Sequence, residues 1–116
     1  MAIVVIAEPH LEVRALFVHV VRNAGYVPLP TAGPEYAGAE RPVAALIEPA
    51  SPDAVALARS LRERYPELPV ICVSIYPPGP EIADLRPSAY LIKPFAISEL
   101  AQALDVAASA AVHSNR

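Results

Sequence analysis

Four short apolar runs, with no polar residue alternating inside them, limit what this chain can become. They are Ile3-Val4-Val5-Ile6, Val43-Ala44-Ala45-Leu46-Ile47, Val70-Ile71-Cys72-Val73 and Ala89-Tyr90-Leu91-Ile92. Each is too short for a typical helix and most are rich in β-branched residues, so they read as strands. A strand that is apolar at every position is covered on both faces, which is the habit of parallel sheets. The stretches between them carry the other period. From His10 to Ala24 the apolar residues Val13, Leu16, Phe17, Val20, Val21 and Ala24 share a helical face, and Gly25 supplies a stop. Ser51 is placed to cap a helix with Pro52 at its first position, running to about Tyr65 before Pro66, with Val55, Leu57, Ala58 and Leu61 buried. Ser98 is expected to cap an alanine-rich helix to about Ala111, buried through Leu100, Ala101, Leu104 and Ala108. Strands alternating with helices give a parallel sheet wrapped on both faces by right-handed crossovers.

The remaining segments are shaped by proline. Tyr26-Val27-Pro28-Leu29-Pro30 is extended, and two residues without an N–H place it at a sheet edge. Between Gly33-Pro34 and Arg41-Pro42 there is room for at most a short helix, around Glu35 to Ala39. Pro77-Pro78-Gly79-Pro80 leaves one or two turns, Glu81 to Leu85, before Pro87. The second and fourth helical connections should therefore be shortened. The 14 prolines fall outside the interiors of the three long helices, which rigidifies connections without cutting helical hydrogen bonds. The chain of 116 residues suits one domain, with a tail expected to fray from about position 112.

Composition removes several function classes. A net charge of −3, with no basic stripe, argues against nucleic-acid binding by this domain. The single cysteine, Cys72, cannot form an internal disulfide or a cysteine-based zinc site, and reads as a small buried hydrophobe. No apolar run approaches the ~20 residues of a membrane-spanning helix and no cationic leader is present, so a soluble cytoplasmic domain with no membrane partner is expected.

In a parallel sheet of this kind the chemistry collects at the C-terminal ends of the strands. There the order of residues brings Ala7 and Glu8, then Glu48, then Ser74, then Lys93 to one rim. Lys93 is the only lysine; the other eight basic residues are arginine. An ammonium at the mouth of an apolar strand requires an anion, because an unpaired charge near a core costs several kcal/mol. Glu48 is the expected partner, with Glu8 as a second anion nearby.

The pieces Ile3–Pro9, Ala45–Pro49, Pro69–Ser74 and, most specifically, Tyr90-Leu91-Ile92-Lys93-Pro94-Phe95 together resemble the receiver domain of bacterial two-component response regulators. The resemblance spans almost the whole chain in the right order. It implies a flavodoxin-like α/β fold with five parallel strands in the order 2-1-3-4-5. It also implies roles. In receivers two acids after the first strand and an aspartate after the third hold Mg²⁺, and that aspartate accepts a phosphoryl group. A Ser/Thr and a Lys contact the phosphoryl oxygens, and an aromatic residue three places before the Lys changes rotamer on activation. Ser74, Lys93 and Tyr90 match, and Glu8 matches the second acid.

Ala7 and Glu48 do not match. Ala7 stands where the first acid belongs, and Glu48 stands where the phosphoacceptor aspartate belongs. The extra methylene of Glu48 moves its carboxylate by roughly one C–C bond, about 1.5 Å, in chemistry that depends on placement. The three aspartates, Asp53, Asp84 and Asp105, fall on helices or connections rather than strand ends. Asp53 is suited to a helix N-terminus. The expectation is a pseudo-receiver that takes no phosphoryl group, holds no metal or cofactor, is not an enzyme and acts through a protein partner or as a homodimer. One alternative is a phosphorylatable single-domain regulator with an altered acceptor, served by a histidine kinase. Another is a small-ligand or metal-binding flavodoxin-like domain, with Glu8, His10 and Glu48 as a possible donor set. Ala7-Glu8-Pro9-His10 is acidic and glycine-free, which disfavours a flavin phosphate there.

Overall fold

The computed structural model describes residues 2–114, with side chains to residue 110. Five strands, β1 (Ile3–Ala7), β2 (Val27–Pro30), β3 (Ala44–Ile47), β4 (Val70–Ser74) and β5 (Ala89–Ile92), form one parallel sheet in the order β2-β1-β3-β4-β5. The helices are α1 (Leu11–Asn23), α2 (Pro52–Arg64) and α3 (Ile97–Ser114), with a 3-10 segment at Pro80–Leu85. This is the flavodoxin-like arrangement expected from the apolar runs. The proline-bearing β2 lies at one edge, Pro28 beside Val4 and Pro30 beside Ile6. There the missing N–H groups interrupt no ladder on the outer side.

The sheet's alternation divides the core in two. Val4, Ile6, Leu46, Ile71 and Val73 face Phe17, Val20 and Val21 of α1 and Leu100, Leu104 and Ala107 of α3. Val5, Ala45, Ile47, Val70 and Cys72 face Leu57, Ala58 and Leu61 of α2, joined by Ile82 and Leu85 of the 3-10 segment. Period two in the strands thus delivers alternate residues to opposite helical layers. Gly25, at φ 94, takes the left-handed turn that ends α1. Ser51 caps α2 by accepting the Ala54 N–H at 3.2 Å, with Pro52 at the first position.

Three expectations need correction. No helix forms between residues 31 and 43. Instead Tyr36, buried beside Ile47 and Leu61 in the core, closes that part of the sheet face. Its hydroxyl donates to the Glu40 carbonyl at 2.8 Å, and Arg64 donates to the carbonyls of Tyr36 and Gly38 while standing over the Tyr36 and Tyr65 rings. Glycines, prolines and one buried ring replace a helix. Second, Ser98 is not the cap of α3. The helix starts at Ile97, and Glu99 reaches back to accept the Ala96 N–H at 3.0 Å, half of a capping box. Third, α3 runs to Ser114 rather than ending near Ala111; residues 115 and 116 lie outside the described residues.

Candidate functional site

Strand register assembles the site. Ala7 pairs with Ile47 and Ser74 with Ile92, so Glu8, Glu48, Ser74 and Lys93 come to one level at the C-terminal rim. Two bonds continue the ladder past the strand ends: Glu48 N–H to the Ala7 carbonyl at 3.0 Å, and Lys93 N–H to the Ser74 carbonyl at 2.8 Å. The Lys93–Pro94 peptide is cis.

Lys93 Nζ lies 3.2 Å from Glu8 Oε1 and 3.6 Å from Glu48 Oε1. The ammonium thus sits between both carboxylates, and its hydrogen-bond partner is Glu8, with Glu48 the looser contact. This reverses the expected ranking of the two acids. Local backbone explains it. Glu8 Oε2 accepts the His10 N–H at 3.0 Å at the start of α1, and Glu48 Oε2 accepts the Ala50 N–H at 3.2 Å ahead of α2. Each carboxylate is tethered through one oxygen and turns the other toward Lys93. The Glu8 side chain is 2% exposed, Glu48 11% and Lys93 19%. Groups so shielded require one another, because removing a partner strands a charge out of water.

Ser74 is buried, and its Oγ accepts the Tyr76 N–H at 3.3 Å. Tyr90 is half-buried against the core, and its hydroxyl donates to the Tyr76 carbonyl at 2.7 Å. Burial raises the Tyr90 phenol above its ordinary 10.0, with the Ser74 hydroxyl acting in the opposite sense. Tyr90, Ser74 and Ile82 line a small cavity of about 120 Å³. The buried Cys72 thiol is pushed up to about 12 by burial, with the Glu48 charge adding to it, so it is no nucleophile at neutral pH.

The donor set does not fit Mg²⁺. Ala7 offers no side-chain oxygen, both Glu8 oxygens are engaged, and a cation from the chain itself stands between the two carboxylates. Nor do Glu8, His10 and Glu48 form a metal trio: among the described residues no group of three or more His, Cys, Asp or Glu is arranged to hold an ion. Asp53 lies in the first turn of α2, and Asp84 pairs with Arg59, which holds its carboxyl below the usual range. Neither enters the site.

Sequence reasoning missed the site's surroundings. Above the three charges opens a cleft of about 430 Å³, walled by Pro9, Val13, Ile75 and Tyr76. Ile75 is 58% exposed and Tyr76 60%. The signal was available, since two large apolar residues follow a buried serine and precede Pro77-Pro78, where they have no strand to join.

No family model matches the sequence, and neither does any curated protein. Solved structures do. A receiver domain protein (CheY-like) from Methanospirillum hungatei superposes with a TM-score of 0.81 at 16% identity, covering 98% of each chain. The chemotaxis protein CheY4 of Vibrio cholerae gives 0.77 at 19% identity, over 92% of this chain and 98% of that one. NtrX from Brucella abortus, solved with ADP, gives 0.82 at 18% identity over 99% of this chain, which spans only 28% of the NtrX chain. Likeness at such identity is a likeness of architecture, and it agrees with the strand order derived from the apolar runs: the chain has the fold of response-regulator receiver domains.

Proposed function

We propose that this protein is an atypical receiver, a signalling module that takes no phosphoryl group and works by binding another protein. The observation that carries this reading is the position of Lys93 Nζ, 3.2 Å from Glu8 and 3.6 Å from Glu48. The resemblance gives that lysine a phosphoryl oxygen to serve; here its counter-ions belong to the chain. Ala7 supports the same reading, because it removes a metal-binding carboxylate from a transfer that needs charge neutralised at the phosphoryl group. The Tyr90 hydroxyl, bonded to the Tyr76 carbonyl, ties the switch-position aromatic to the loop after β4 without any phosphoryl group.

The test is mass spectrometry of the protein incubated with acetyl phosphate and Mg²⁺. The expected result is no covalent gain for the native chain, and a gain of one phosphoryl group for the double variant Ala7→Asp/Glu48→Asp, which restores the missing acid and the shorter acceptor. A stoichiometric gain in the native chain that disappears in Glu48→Ala would overturn the proposal.

A further inference from the structure

The cleft above the site is built unlike its floor. Its walls are largely apolar, with His10 and Ser51 the polar residues among them, while its floor holds two carboxylates against one ammonium, an excess of one negative charge with the His10 imidazole counted as neutral. The positive ends of α1 and α2 also face it, but each carries a first-turn acid of its own, Glu12 and Asp53. Among the described residues, Glu48 Oε1 accepts no hydrogen bond: Lys93 is 3.6 Å away, and the Ala50 N–H takes the other oxygen. The exposed ring of Tyr76 lines the same cleft as Glu48. A carboxylate oxygen with open lone pairs, an excess negative charge and an aromatic face together complement a planar, weakly hydrated cation. A guanidinium fits that description better than an ammonium, because it stacks on a ring while donating from its edge.

We propose that the cleft is the docking site for an arginine side chain presented by a partner protein. The guanidinium meets Glu48 Oε1 and the Tyr76 ring, and an apolar residue next to the arginine rests on Ile75 and Val13. The apolar walls supply contact area, and the buried charges supply selectivity for a cation. This inference rests on the reading of the domain as an unphosphorylated interaction module, and it names the chemistry of the partner.

The experiment is an NMR titration of the ¹⁵N-labelled 116-residue chain with the peptide acetyl-Leu-Arg-Leu-amide at low salt, without phosphodonor. Parallel titrations use the isosteric citrulline peptide and MgCl₂ alone. The arginine peptide is expected to shift the amides of Glu48, Ala50, Ile75 and Tyr76 saturably, with an affinity that falls as salt is added. Citrulline should bind about tenfold more weakly, as should Glu48→Gln with the arginine peptide. Because the amide spectrum also reports folding, Tyr76→Ala serves as a second variant on the exposed wall, where loss of binding with an intact spectrum supports the proposal. Equal binding of the two peptides, shifts confined to another surface, or MgCl₂ occupying the same residues and excluding the peptide would overturn it. A failed titration leaves the unphosphorylated reading standing, whereas a mass gain with acetyl phosphate removes that reading whatever the peptide does.

Discussion

Lys93 is the group on which the buried acids depend. Glu8 and Glu48 are almost wholly shielded from water, and among the described residues Lys93 is the cation within salt-bridge distance of either. Lys93→Met should therefore lower the unfolding free energy by about 2–3 kcal/mol, less than a fully buried pair because the ammonium retains some solvent. Urea unfolding measures this. Adding Glu8→Gln to that variant should restore part of the loss, since most of the cost comes from the stranded charge rather than from a missing attraction. A double variant that is simply worse by the sum of both would show that the three groups do not act as a unit. The convergence of these residues was legible in the sequence, because each follows a buried strand and parallel strands end at one rim. The preference of Lys93 for Glu8 over Glu48 was not. It depends on which carboxylate oxygen each local N–H captures, and that is a matter of loop geometry rather than residue type.

At the scale of elements, the long helices and the sheet follow from periodicity, and the departures occur where proline and glycine suppress it. Periodicity has nothing to report about residues 31–43, so the burial of Tyr36 could not be read from spacing. Tyr36→Ala should destabilise the fold by about 3 kcal/mol, the usual cost of deleting a buried aromatic ring. Tyr36→Phe should cost about 1 kcal/mol for the single hydrogen bond to Glu40. Thermal unfolding of the two variants distinguishes covering the sheet from tying the loop; equal losses would place the whole effect in the hydroxyl. The 3-10 segment is held differently. Arg59 of α2 reaches both Asp84 carboxylate oxygens, at 2.9 and 3.0 Å, and also donates to the Glu81 carbonyl. The Arg59 and Asp84 side chains are 46% and 59% exposed, so Arg59→Ala should leave global stability nearly unchanged. Its clearer effect should be faster hydrogen exchange confined to residues 80–86, where a tie between exposed groups limits local opening. Uniform acceleration across α2 and the sheet would contradict this.

Over the whole molecule, two thin layers cover a five-stranded sheet, and three tyrosines lie at the seams between elements. Tyr26 bonds Asp105 of α3 at 3.0 Å, Tyr36 closes one sheet face, and Tyr90 joins β5 to the loop after β4. Burial raises all three phenols above the ordinary 10.0, aided in Tyr26 by the Asp105 carboxylate. Raised folded values mean that the native state holds these protons more tightly than the unfolded chain does. Their contribution is complete below pH about 10 and is lost as pH rises through the folded values. The urea midpoint should accordingly stay level from neutral pH to about 9 and fall beyond it. A midpoint unchanged where free tyrosine is fully ionised would exclude the phenols as a source of stability. The preponderance of arginine over lysine has a different consequence, in chemical labelling. An amine-reactive ester added to this chain meets a single lysine side chain, and that group is hard to reach while its contacts with Glu8 and Glu48 hold it within the site. Acylation at Lys93, followed by digestion and mass analysis, therefore counts how often those contacts open, and the molecule carries its own clock at the site where a partner would stop it.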